Sequence, residues 1–238
     1  MKIIISDYDG TIFEDEITTK KNIAAIAKFR NQNLFAVATG RSYEDFMSAK
    51  IKNNIELDYY LLNYGAQILD KNMQPISITP LTKEDVAKIK SFFKEKKVTI
   101  LYCNDKKNSL KESGTIFKIV VKFNNRKDLV DSYEQFIKLN SFNTYILKNH
   151  CSLEIIRKDV NKKESIKKFL PIIKMKQNDV FVIGDSINDL EMITQYHGFC
   201  VEKAEPNIKA VAVKIYPHVY NLIEELWRQN NEKHSSCI

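Results

Sequence analysis

The chain has 238 residues, 44% apolar and 28% charged, which suffices for a full buried core and excludes an intrinsically disordered protein. Its 37 Lys and Arg against 30 Asp and Glu give a formal charge of +7, which permits an anionic partner without demanding one. Cys103, Cys151, Cys200 and Cys237 are widely spaced with no CxxC pair, which argues against a zinc site and favours a reduced, intracellular protein. Met1 to Ile5 leads into acidic residues, without the basic start and cleavage site of a secretory signal, and no apolar run reaches membrane-spanning length. The expectation is a soluble cytoplasmic protein with no membrane partner.

Met1 to Ile5 has the branched apolar character of a strand buried in a parallel sheet. A linker follows, then an amphipathic helix over about Lys20 to Asn31, with Ile23, Ile26, Ala27 and Arg30 at helical spacing. Leu34 to Ala38 reads as the next strand, Ser42 can begin a helix through Phe46 and Ile51, and Tyr59 to Leu62 reads as a third strand. Asn63-Tyr64-Gly65-Ala66 then turns the chain into a short strand at Gln67 to Leu69. This strand-helix alternation is the repeat unit of a parallel sheet covered on both faces.

Near Pro80 the order changes. A helix at about Thr82 to Lys96 precedes strands at Val98 to Leu101 and Ile116 to Phe123, and a helix at Arg126 to Leu139 precedes strands at Thr144 to Leu147 and Ser152 to Ile156. The two helix-strand-strand units predict a small antiparallel sheet with two helices on one face. The alternation Phe117-Ile119-Val121-Phe123 leaves the other face to solvent or a partner. Cys103 to Thr115 reads as a mobile surface loop. The first pattern returns with a helix from Lys162 to Pro171, a strand at Val180 to Ile183, a helix from Asn188 to Gln195, apolar runs at Gly198 to Val201 and Ala210 to Val213, and a helix over Val219 to Arg228. One α/β domain, residues 1–79 and 156–238, is therefore interrupted by an inserted α+β domain at 80–155.

The chemistry gathers at two strand ends. Asp7-Tyr8-Asp9-Gly10-Thr11 leaves the first strand with two carboxylates two positions apart, and Gly184-Asp185-Ser186-Ile187-Asn188-Asp189 follows the strand at Val180 to Ile183. Acidic clusters at two strand ends point to one metal site assembled from distant sequence. Taken alone, each residue has a plainer reading. Asp7 could cap a turn, Thr39-Gly40 could form one, and Asp189 could serve as a helix N-terminal acid worth about 0.3–1 kcal/mol.

These two clusters, Ala38-Thr39-Gly40-Arg41 and the stretch around Lys162 together resemble the haloacid dehalogenase (HAD) superfamily, specifically its Cof-like phosphatases with a type IIB cap. The resemblance spans residues 1 to 228. It implies a Rossmann-like α/β core with an inserted α+β C2B cap, and Mg²⁺-dependent hydrolysis of a small phosphomonoester, such as a sugar phosphate, through an aspartyl-phosphate. Asp7 would be the nucleophile and Asp9 the general acid/base. Asp7, the Asp9 carbonyl and Asp185 would hold Mg²⁺, with Asp189 acting through water or orienting Lys162. Thr39, Gly40 and Asn188 would bind phosphate.

Lys162 aligns with the family lysine that stabilises phosphate and transition-state charge, although Lys163 stands where that family has glycine and is the competing candidate. Arg41 could contact an anion or form a salt bridge. The insertion carries 15 Lys and Arg against 9 Asp and Glu, a net +6. Its Lys118, Lys122, Lys148 and His150 are candidate substrate contacts whose plainer reading is solvated surface. Phosphotransfer of the phosphomannomutase kind is the enzymatic alternative. A basic nucleic-acid-binding or regulatory protein is a more distant one, because no ordered aromatic-basic pattern supports nucleic acid as a partner.

Overall fold

The structure is a computed structural model that describes residues 1–139 and 143–235. Cys237 lies outside the described residues. The first strand is β1 (Ile3–Ser6), and its Ile3, Ile4 and Ile5 are wholly buried between parallel neighbours on both sides. Those neighbours are β2 (Leu34–Ala38) and β11 (Val180–Gly184), so residues nearly 180 positions apart in sequence lie on adjacent strands. Beyond β2 come β3 (Tyr59–Leu62), β4 (Gln67–Asp70) and β5 (Pro75–Ile78), the last two antiparallel. Beyond β11 come β12 (Phe199–Val201) and β13 (Lys214–Tyr216), both parallel. The sheet order is β13-β12-β11-β1-β2-β3-β4-β5. The chain order reverses direction at β1, and in such sheets the crevice beyond the strand C-termini at this point is where ligands bind.

The flanking helices are α1 (Glu16–Phe29), α2 (Tyr43–Asn53), α5 (Lys162–Ile172), α6 (Leu190–Gln195), α7 (Pro206–Lys209) and α8 (Val219–Ser235). α1 begins at Glu16, earlier than expected, because the Asp15 carboxylate accepts from the N–H groups of Ile17 and Thr18 and caps the helix inside the presumed linker. Ser42 and Asn161 cap α2 and α5 in the same way. β5 escaped the sequence reading because it opens on proline, a residue that sheets accept at an edge. The last strand falls at Lys214–Tyr216 rather than on the apolar run Ala210 to Val213, since Pro206 starts a short helix that displaces it.

The second sheet is antiparallel, in the order β7-β6-β8-β10-β9. Its strands are β6 (Val98–Cys103), β7 (Asn108–Ser109), β8 (Lys118–Phe123), β9 (Thr144–Asn149) and β10 (Ser152–Arg157). α3 (Lys83–Phe93) and α4 (Arg126–Lys138) cover one face, where Val86, Ile89, Phe93, Leu129 and Phe136 pack with Ile119, Val121, Phe123, Leu153 and Ile155. Phe117 departs from the expected alternation. It precedes β8 and joins Tyr64, Ala66, Ile156 and Val160 in a separate cluster between the two sheets. Within the expected loop, the Asn104 carboxamide accepts from the N–H groups of Lys106 and Lys107 and so seats the two-residue strand β7.

Candidate active site

The site lies where β1 and β11 end. The N–H of Asp7 donates to the Ile183 carbonyl (2.9 Å), continuing the β1–β11 ladder by one bond and bringing Asp7 beside the segment that carries Asp185 and Asp189. Asp7, Asp185 and Asp189 each offer an oxygen within 4.8 Å of the others. Gly10 adopts φ +82°, and a side chain there would collide with the Asp185 carboxylate. The Thr11 hydroxyl donates to Asp185 Oδ1 (3.1 Å), which fixes the carboxylate against the first motif.

Lys162, in the first turn of α5, places its Nζ 2.5 Å from Asp7 Oδ1 and 2.6 Å from Asp189 Oδ1. Its side chain is 2% exposed. Lys163 points elsewhere, pairing with Glu164 and Glu191 nearer the surface, so Lys162 is the lysine that reaches the carboxylates. Asp189 is wholly buried. Its Oδ2 accepts from the N–H groups of Asp185 and Ser186 while Oδ1 meets Lys162. Asp189 thus closes the turn at its own helix start and meets Lys162, and its oxygens are largely occupied by protein.

The charges do not balance. Three close carboxylates face one ammonium. Burial raises the Asp7 carboxyl well above its ordinary range, Lys162 pulls it back down, and Asp189 repels its charge. Burial and the charge of Asp189 push Asp185 up to about 6, against the Thr11 hydrogen bond. Burial opposes the charge on Lys162, but Asp189 and Asp7 outweigh it and raise its pKa. A cluster of hard carboxylate oxygens in excess of its protein cations suits a hard divalent cation, so the donor set fits Mg²⁺.

Asp7, Thr39, Gly40, Lys162 and Asn188 line one cavity of about 570 Å³. Thr39 is buried and Asn188 is exposed at the rim. Asp9 lines the same cavity, but its side chain is 51% exposed and clamped by Arg41, whose Nη2 and Nε donate to its two oxygens at 2.6 and 2.8 Å. Of the two readings left open for Arg41, the salt bridge is the one formed here. Lys122, Lys148 and His150 are exposed. Lys118 is buried, so the solvated-surface reading fails for it. Its Nζ donates to the Gly40 carbonyl (2.6 Å) and to Glu154 (2.9 Å), and Tyr64 Oη donates to the same Glu154 oxygen (3.1 Å). Glu154 and Tyr64 were not anticipated. For Glu154 the sequence signal was the free face implied by strand alternation, and for Tyr64 it was the turn Asn63-Tyr64-Gly65-Ala66.

The sequence pattern of the haloacid dehalogenase-like hydrolases matches residues 4–113 and 103–221, which takes in both acidic motifs, Lys162 and the intervening sheet. The chain belongs to that family. This hydrolase is 22% identical over 261 aligned positions to a Mycoplasma capricolum protein, covering 93% of this chain and 98% of the relative. A haloacid dehalogenase-like hydrolase of Bacteroides thetaiotaomicron superposes with a TM-score of 0.83 at 17% identity, covering 94% of this chain and 99% of that one. A HAD phosphatase of the same organism superposes with a TM-score of 0.77 at 16% identity, covering 96% and 94%. The shared architecture is a Rossmann-like α/β core with a cap subdomain. Among the described residues, no helix is long and apolar enough to cross a membrane.

Proposed function

We propose that this hydrolase removes phosphate from small phosphomonoesters, sugar phosphates among them, with residues 1–79 and 156–238 as catalytic core and 80–155 as cap. The observation that carries the reading is Asp7 itself, a buried carboxylate between Lys162 and two further acids at the floor of a cavity with room for a small ester. An oxygen of Asp7 attacks phosphorus, the ester P–O bond breaks, and the departing alkoxide takes a proton from Asp9. Water then attacks the phosphorus of the aspartyl-phosphate and gives its proton to Asp9. The P–O bond to Asp7 breaks and phosphate leaves.

Lys162 offsets negative charge on the transferred group, and Thr39, Gly40 and Asn188 bind its oxygens. Both Asp9 oxygens accept from Arg41 in this clamp, so Asp9 leaves it to carry the proton that it gives to the alkoxide and recovers from the attacking water. Asp7, Asp185 and the Asp9 carbonyl would hold Mg²⁺, with Asp189 behind them. When bound, the ion supplies Lewis-acid polarisation of the phosphoryl group and screens it from Asp7. The free thiols Cys103, Cys151 and Cys200 accord with a reducing, cytoplasmic setting.

The test is phosphate release from a panel of sugar phosphates, phosphorylated cofactors and nucleotides, with Mg²⁺ or chelator, alongside Asp7→Asn. Mg²⁺-dependent release that disappears in Asp7→Asn, with acid-stable label on the wild-type protein only, is the expected outcome. Release that persists in Asp7→Asn would refute the mechanism. Turnover seen only with a sugar acceptor would replace hydrolysis by phosphotransfer.

A further inference from the structure

Above the phosphate-binding turn, the open face of the cap sheet presents an ion pair that fold stability does not require. Lys118 on β8 and Glu154 on β10 are diagonal neighbours, since Glu154 stands opposite Val120. Their side chains are 4% and 12% exposed. Replacing such a pair by apolar residues of similar size is often neutral or stabilising, so burial alone does not explain it. Its partners are informative. Lys118 reaches across to the Gly40 carbonyl of the core, and Tyr64 of the core donates to Glu154.

The core is shaped to make that contact. Asn63, Tyr64 and Gly65 all have positive φ, at 51°, 61° and 93°, a conformation that costs a non-glycine residue about 1–3 kcal/mol and tends to persist at functional sites. Gly40 leaves room for the Tyr64 ring, whose Cζ would lie 2.5 Å from a Cβ at that position. Burial, followed by the charge of Glu154, raises the Tyr64 pKa well above 10, so the phenol keeps the proton it donates. Glu154 thus enters the cavity as an oriented carboxylate with acceptor capacity to spare.

Among the described residues, every cation lining that cavity is already matched: Lys118 by Glu154, Arg41 by both oxygens of Asp9, and Lys162 by Asp7 and Asp189. Asp45 adds a further carboxylate to the lining. Lys148, beside the adjoining hollow under β9, lies over the Tyr133 ring of α4. A leaving group with hydroxyls finds an acceptor here, whereas a second anionic group placed in this cavity meets Glu154 and Asp45 beside cations already paired, the exposed Lys148 and Lys158 lying in the adjoining hollow.

Building on the phosphatase reading, we infer that Glu154, held by Lys118 and Tyr64, determines specificity by accepting hydrogen bonds from leaving-group hydroxyls, selecting esters of neutral polyols over esters that carry a second phosphate or carboxylate. The experiment compares kcat/KM at saturating Mg²⁺ for a hexose 6-phosphate, the matching hexose bisphosphate and p-nitrophenyl phosphate. The wild type should prefer the monophosphate over the bisphosphate by tenfold or more. Glu154→Gln should reduce that preference at least tenfold, mainly through a higher KM for the monophosphate, and should harm the monophosphate far more than the aryl ester. Should Glu154→Gln strand the Lys118 charge and fail to fold, the double variant Lys118→Met/Glu154→Leu removes the pair together and should show the same collapse of preference. An equal loss on all three substrates would mark Glu154 as structural and overturn the inference, as would an unchanged preference. A wild type that hydrolyses all three equally well sinks this inference alone. One that releases phosphate from none sinks the phosphatase reading beneath it.

Discussion

Replacing Lys162 with methionine tests the electrostatic logic of the site. The ammonium sits 2.5 and 2.6 Å from two buried carboxylate oxygens. At an effective dielectric near 20, each unit pair about 4 Å apart gains roughly 4 kcal/mol, and desolvation of the three charges takes back most of the sum. Removing the cation alone leaves that desolvation uncompensated, and breaking a buried pair in this way costs about 3–5 kcal/mol. Urea unfolding of metal-free protein at pH 7 should show a loss of that size. The deficit should narrow at lower pH. A carboxyl whose folded pKa lies above its unfolded one binds more protons in the native state, so stability rises as pH falls toward the unfolded value. Asp7 is already raised in the wild type and would rise further without Lys162. Turnover should fall by roughly a hundredfold or more, as for loss of a donor aimed at transition-state charge. Lys163→Met provides the contrast, since its partially exposed pairs are worth under about 1 kcal/mol. Equal losses in the two variants, or a Lys162→Met protein as stable as wild type at pH 7, would refute the reasoning.

The same carboxylates govern the response to metal. Burial pushes Asp185 up to about 6 and raises Asp7, so metal-free stability should decline as pH climbs from about 4 through 6, where the folded protein gives up the extra protons it holds. Mg²⁺ competes with those protons, and its thermal upshift should be larger at pH 7.5 than at pH 5; equal shifts would count against the site. Gly10→Ala sets a side chain at φ +82° against Asp185, and calorimetry should find weakened Mg²⁺ binding together with about 1–3 kcal/mol of destabilisation. Asn22 is wholly buried, donating to the Ile12 carbonyl and accepting from the Tyr220 N–H, so it ties the turn after the first motif to the start of α8. Asn22→Leu orphans both groups and should cost about 1–3 kcal/mol in chemical denaturation, while Asn31→Leu in the exposed turn after α1 should cost far less.

Local chemistry made much of this protein legible from its sequence. Branched apolar residues in β1, Asp-x-Asp-Gly-Thr at its exit and the second acidic run after β11 are short-range patterns, and each is set by what its own strand and turn require. The two helix-strand-strand units were readable for the same reason, because helical and strand periods are properties of a dozen residues. Tertiary structure decided what depends on distance in space. It chose between Lys162 and its neighbour, which differ by about 100° around α5 so that only one faces Asp7. It buried Lys118 against Gly40 and Glu154, and it paired Asp9 with Arg41. Residue type gives a lysine in an amphipathic strand no sign of whether water or another sheet lies above it. That is fixed by how the cap sheet sits over the switch point, and the partners there come from segments 36 to 78 residues apart.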